Sequence, residues 1–121
     1  DVTVDNGCLH FVPGSHKYGP LPAIKLGVQG ESIVDKMRDQ GHEVADAVPM
    51  EMGAGGVTFH DGCNFHYAGP NRTDRPRHAF AVIYIPDHIT FNGGKDAAGA
   101  TEEMTPGGPW DHPLHPVLAA E

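Results

Sequence analysis

The stretch "HYAGPNRTDRPRHAFAVIYIP", residues 66–86, decides how the fold is read. A histidine leads into a Gly/Pro/Asn loop, Arg72, Arg75 and Arg77 follow in quick succession, and a run with the composition of a β-strand begins at Arg77. Side chains alternate faces along a strand, so Arg77, Ala79, Ala81, Ile83 and Ile85 share one face. His78, Phe80, Val82 and Tyr84 share the other. Arg77 therefore heads an otherwise apolar face. If that face lines a sheet interior, the guanidinium requires an anion beside it, because an unpaired buried charge is strongly unfavourable. A protein carboxylate or a ligand anion would serve. Two alanines on the same face leave room for a group that is not protein. A loop at 68–76 that folds the flanking strands antiparallel would set His66 about 4.8 Å, one strand spacing, from the start of the Arg77 strand. The residues by themselves leave two plainer readings open: Arg77 as a solvated or salt-bridged strand end, and His66 as a hydrogen-bonded core or surface histidine.

Working outward, Asp61 and Gly62 form a turn dipeptide that predicts a hairpin with strands at 57–60 and 64–67. "AVPMEM" before it alternates as a strand would. "ESIVDKMRDQGHE" is the single plausible helix, with Ile33, Val34 and Met37 on one face and Gly41 as its stop. At the start of the chain, Asn6 and Gly7 predict a turn between the end of one strand and a second strand reaching Val12. From Asp87 onward, Gly, Ala, Pro and acidic residues dominate. This tail is expected to be irregular and to pack locally through Trp110, Leu114 and Val117.

The chain has 121 residues, enough for one thin core. With 16 Gly and 11 Pro, short strands joined by turns are favoured over long helices, so the default is an all-β fold. Eight Lys and Arg face sixteen Asp and Glu, for a net charge of −8, which repels a nucleic-acid backbone. No run approaches the roughly eighteen apolar residues of a membrane span, and the acidic first residues do not fit a signal peptide. The chain reads as soluble and cytoplasmic, with no nucleic-acid or membrane partner. Cys8 and Cys63 belong to no CxxC and read as free thiols.

Nine histidines raise the expectation of metal or acid/base chemistry. No HExxH is present, however, and no histidine is followed two residues later by Asp or Glu. Ser15 and Ser32, the only serines, lie in no GxSxG, which argues against a serine hydrolase. Gly53, Gly55 and Gly56 do not lead into a helix and make a poor phosphate loop. The sequon Asn71, Arg72, Thr73 is incidental in a chain without secretory signs.

Three blocks, "DNGCLHFVPGSHKYG" (5–19), "VPMEMGAGGVTFHDGCNFHYAGPN" (48–71) and "RTDRPRHAFAVIYIPD" (72–87), together resemble the phytanoyl-CoA dioxygenase family of Fe(II)/2-oxoglutarate-dependent oxygenases. The resemblance implies a double-stranded β-helix, a jelly-roll or cupin-like barrel with at most one short helix. This chain would supply its C-terminal part, with residues 1–87 as partial barrel and 88–121 as a tail packing on it. It further implies an iron site of two histidines and one carboxylate, open to 2-oxoglutarate and oxygen. His66 matches the distal histidine of that set. Arg77 matches the arginine that pairs with the far carboxylate of 2-oxoglutarate, a task suited to a planar guanidinium fork. Two positions depart from the family pattern. Gly56 stands where Asp is usual, which would loosen a turn, and Ala68 stands where a serine often helps bind 2-oxoglutarate.

The family's HxD would lie upstream of residue 5, so two of the three iron ligands are not expected in this chain. The implied function is part of a dioxygenase that hydroxylates a small organic substrate, inactive as these 121 residues alone. Two alternatives accompany it. One is a catalytically silent half-barrel whose exposed edges build a homo-oligomer. The other is a small cupin-like metal-binding protein using His60, His66 and another histidine.

Overall fold

A turn opens the chain because Asn6 and Gly7 supply what a turn demands. Gly7 takes φ +85, the Thr3 N–H donates to Asn6 Oδ1 (2.8 Å), and the Cys8 N–H donates to the Thr3 carbonyl (2.9 Å). The structure is a computed structural model and describes residues 1–20, 32–95, 99, 102–116 and 118. Strand β1, Leu9–Phe11, leaves the turn and stops before Pro13 and Gly14. The two sides of the turn do not pair with each other. Both align on one segment: Val2 bridges Met52, while His10 and Phe11 pair with Pro49 and Val48 of strand β2, Val48–Pro49.

The other edge of β1 pairs antiparallel with strand β3, His66–Ala68, giving the sheet order β2-β1-β3. Leu9 stands opposite Ala68, His10 opposite Tyr67, and Phe11 opposite His66. The predicted turn at Asp61 is present, since Asp61 accepts the Asn64 N–H at its carbonyl and the Cys63 N–H at its carboxylate. The predicted hairpin is not. Residues 57–60 join no ladder among the described residues, and β3 takes the distant β1 as partner.

The predicted helix forms as α1, Ile33–Asp39. Ser32 caps it by accepting the Asp35 N–H, and Asp35 places negative charge in the first turn. At its end, Gly41 at φ +86 permits the paired bonds Gly41 N–H to Arg38 O and His42 N–H to Met37 O, a Schellman closure. Ile33, Val34 and Met37 are buried as their spacing predicts. Val12, Ile33 and Val34 form a core cluster, with Phe65, Tyr67, Val44 and Ala47 packed on it. Alternation along β1 and β3 turns Phe11 and His66 to the opposite face of the sheet.

The predicted strand over 77–86 is not formed. These residues belong to no ladder among the described residues, and both of its supposed faces are exposed: Phe80 is 93% accessible and Ile83 87%. A strand exists only with a hydrogen-bonded neighbour, and no described segment supplies one. The strands and helix thus make a small, mostly β unit, whose three strands do not close a barrel among the described residues.

The chain divides into two compact units, residues 1–79 and 80–121. In the second, Phe91 is buried against the edge of Trp110 (ring centroids 5.6 Å), and Thr90 bridges Pro109. Trp110 packs locally as expected. Leu114 is instead exposed, and Val117 lies outside the described residues. No helix among the described residues is long and apolar enough to cross a membrane.

Candidate metal-ligand histidine and its surroundings

His66 opens β3 on the sheet face turned away from α1, and its ring is exposed. Its Nδ1 lies 2.8 Å from the Asn64 carbonyl oxygen. A carbonyl only accepts, so a neutral ring in this geometry carries its proton on Nδ1 and leaves the Nε2 lone pair free. That is the arrangement of a ligating histidine, whose second ring nitrogen is tied to a fixed acceptor.

Two aromatic neighbours hold the ring. Phe11 faces His66 across the ladder with centroids 5.6 Å apart, and His60 meets the His66 ring edge-on at 4.7 Å. His60 also packs on Phe11 at 4.7 Å. The two histidines are therefore neighbours, although 57–60 is not a strand. No cluster of three or more His, Cys, Asp or Glu able to hold a metal occurs among the described residues.

The backbone leading into His66 is fixed from the far end of β1. Ser15, fully buried, donates from Oγ toward the Val12 carbonyl (2.8 Å) and Asn64 Oδ1 (2.7 Å), and accepts the Phe65 N–H (2.7 Å). The Val12 N–H donates to the Phe65 carbonyl (2.9 Å). In the sequence Ser15 stands out only as a candidate nucleophile, and Asn64 belongs to no motif. Their roles depend on a contact across 49 residues, which no local motif announces.

Arg77 is half-buried and makes no hydrogen bond or ion pair among the described residues. It follows Pro76 in irregular chain, so the expected antiparallel pairing of the Arg77 segment with β3 does not occur; the ladder partner of β3 is β1. Between them, Asn71 holds the loop in place: its Oδ1 accepts from the Thr73 N–H and hydroxyl, and its Nδ2 donates to the Arg75 carbonyl.

Ala68 shares the face of His66, two residues on. Gly56 does not loosen its turn. The turn is closed by its N–H donating to the Gly53 carbonyl (3.0 Å), and a Cβ there would meet that oxygen at 3.0 Å and Met52 Sδ at 2.9 Å.

The phytanoyl-CoA dioxygenase (PhyH) family profile matches residues 1–79, the whole unit that contains His66 and Arg77. A Dictyostelium discoideum protein named phytanoyl-CoA dioxygenase domain-containing protein 1 homolog is 32% identical over 88 residues, covering 70% of this chain and 31% of its own length. A phytanoyl-CoA dioxygenase of Arabidopsis thaliana is 34% identical over 85 residues, covering 70% of this chain and 29% of its own. The dioxygenase lolE1 of Epichloe uncinata is 35% identical over 82 residues, 68% and 28% respectively. This chain thus spans less than a third of the length of these curated relatives. No solved structure matches it. With two thirds of its residues under one family profile and relatives at this level of identity, the chain belongs to the phytanoyl-CoA dioxygenase family.

Proposed function

We propose that this chain is part of a non-haem Fe(II)/2-oxoglutarate-dependent dioxygenase that hydroxylates a small organic substrate, with His66 as one protein ligand of the iron and Arg77 as the clamp for the remote carboxylate of 2-oxoglutarate. The observation that carries the proposal is the 2.8 Å hydrogen bond between His66 Nδ1 and the Asn64 carbonyl, which orients the ring and, with the ring neutral, leaves the Nε2 lone pair free to ligate. When bound, iron and 2-oxoglutarate together supply the oxygen activation that lets a C–H bond be hydroxylated. Arg77 fits its role because its fork has no protein carboxylate partner among the described residues and can bond an incoming carboxylate bidentately. Ala68 adds no hydroxyl on the face of His66, so more of the cosubstrate's binding falls to Arg77. The barrel that would enclose such a site, with residues 1–87 as its partial core and 88–121 as a tail, is completed in this reading by protein outside these 121 residues. That protein also supplies the HxD ligands. A cytoplasmic location fits two free cysteines, one of them buried.

The 121-residue chain with Fe(II), ascorbate and 2-oxoglutarate is expected to consume no more cosubstrate than its His66→Ala variant. A chain extended through an upstream HxD is expected to turn over, to lose turnover in His66→Ala, and to show a raised KM for 2-oxoglutarate in Arg77→Ala. An extended chain whose turnover survives His66→Ala overturns the assignment.

A second reading, the interaction half-barrel, is favoured by the exposed apolar side chains of Phe80, Ile83 and Tyr84 on backbone without a ladder partner among the described residues. It predicts a homo-oligomer, which sedimentation velocity checks; a monomer across the micromolar range removes it.

A further inference from the structure

We propose that Ser15 is a positioning residue for the His66 imidazole: its buried hydroxyl holds the peptide bond joining Asn64 to Phe65 so that the Asn64 carbonyl points at His66 Nδ1. The inference rests on the reading of His66 as a metal ligand and adds to it the residue that sets the ring's tautomer.

The argument is one of peptide geometry. The Asn64 carbonyl and the Phe65 N–H belong to a single planar group, and in a trans peptide they point in opposite directions. Ser15 Oγ holds one end by accepting the Phe65 N–H at 2.7 Å, and His66 Nδ1 meets the other end at 2.8 Å. Rotation of that plane breaks both bonds together. The next peptide is pinned as well, by the Val12 N–H donating to the Phe65 carbonyl at 2.9 Å.

Ser15 is itself held tightly. Gly14 at φ +76 turns the chain, the Ser15 N–H donates to the Val12 carbonyl (3.2 Å), and the side chain is fully buried. Its one hydroxyl proton serves the Val12 carbonyl or Asn64 Oδ1, while a lone pair remains for the Phe65 N–H. Removing the hydroxyl leaves the Phe65 N–H without its acceptor. The peptide plane then turns to recover a partner, because a part-buried donor left without an acceptor is unfavourable. His66 Nδ1 loses its fixed acceptor in that rotation. The ring is then free to take the Nε2–H form, in which the nitrogen offered to a metal carries a proton.

The test reads the tautomer directly and needs no turnover. Long-range 1H–15N spectra of the histidine-labelled chain, with the ring neutral and His66 assigned through His66→Gln, are expected to show mainly Nδ1–H in the wild type. Ser15→Ala is expected to shift His66 to mainly Nε2–H. Asn64→Ala, which keeps the carbonyl but removes the side-chain anchor, is expected to shift it part of the way. Ser15→Ala that keeps the wild-type amide pattern of β1 and β3 and also keeps Nδ1–H overturns the proposal. If Ser15→Ala does not fold, an unshifted tautomer in Asn64→Ala overturns it instead. A separate arm adds cobalt(II) alone to the chain extended through an upstream HxD and follows paramagnetic broadening of the His66 ring protons. A tautomer shift without cobalt contact leaves the positioning role standing and removes the metal reading; cobalt contact without a shift does the reverse.

Discussion

Phe11 and His66 stand opposite each other in the β1–β3 ladder with ring centroids 5.6 Å apart, and His60 closes the triangle at 4.7 Å from each. Phe11 lies on the sheet face away from the helix yet is only 9% exposed, because the two imidazoles cover it. The histidine proposed to hold iron therefore rests on an apolar floor that its own sheet provides. Such a floor restricts the ring's rotamers and excludes water from one side of it.

Truncating that floor removes the apolar area buried under both rings. Phe11→Ala is expected to lower unfolding free energy by about 3 kcal/mol, and Phe11→Leu by about 1 kcal/mol, because Leu refills most of the volume. Urea unfolding measures both. A midpoint unchanged in Phe11→Ala would mean that the triangle contributes nothing to the sheet.

Gly7 joins the first turn to the site by close approach. At φ +85 it sits where a Cβ would fall 2.6 Å from the Gly69 carbonyl oxygen, one residue beyond β3. Gly7→Ala therefore meets both backbone strain and a clash with main chain that is slow to yield, and is expected to cost about 2 kcal/mol or more. Gly62 has neither problem, since nothing among the described residues lies within 4 Å of its added Cβ. Gly62→Ala is expected to stay within about 0.5 kcal/mol of the wild type in the same denaturation series.

The elements legible from sequence are those written in local chemistry. Gly41 ends α1, and Asn6, Gly7 and Asp61 place turns, because each acts on backbone groups a few residues away. Strand pairing is not local. Asp61 announced a turn, but whether 64–67 pairs backward with 57–60 or across the chain with β1 depends on which partner offers a buried face. Residues 77–86 carry a strand's alternation without a partner among the described residues, and alternation reports what a segment is able to become rather than whether its neighbour is present. Alternation marks Arg77, and family resemblance marks both His66 and Arg77. The peptide link from Ser15 to His66 lay beyond both, because it is a contact between segments with no signature in either.

The exposed apolar run at 80–85 leads to a prediction with little effect on stability. Phe80 and Ile83 are almost fully accessible, so replacing both with Lys removes hardly any burial. Phe80→Lys/Ile83→Lys is expected to unfold within about 0.5 kcal/mol of the wild type. It is also expected to bind less of an apolar dye and to self-associate less. A large loss of stability would show that these side chains are covered in solution.

His60 and His66 are ring neighbours with different chemistry. His66 Nδ1 has a carbonyl partner that orients the ring, whereas neither nitrogen of His60 has a hydrogen-bond partner among the described residues; its contacts are through the ring face and edge. A ligand needs a ring nitrogen aimed by a partner on the other nitrogen, and of these two histidines it is His66 that meets the requirement. His60→Phe preserves the aromatic triangle while deleting both nitrogens. It is expected to leave the unfolding midpoint unchanged and, in the chain extended through an upstream HxD, to keep cobalt(II) affinity within a few-fold. His66→Phe keeps a ring over Phe11 and is expected to abolish the binding. Equal losses in the two variants of the 121-residue chain, measured by calorimetric titration with cobalt(II), would instead identify a metal shared between both imidazoles, two of the three histidines that a small self-contained metal-binding protein requires.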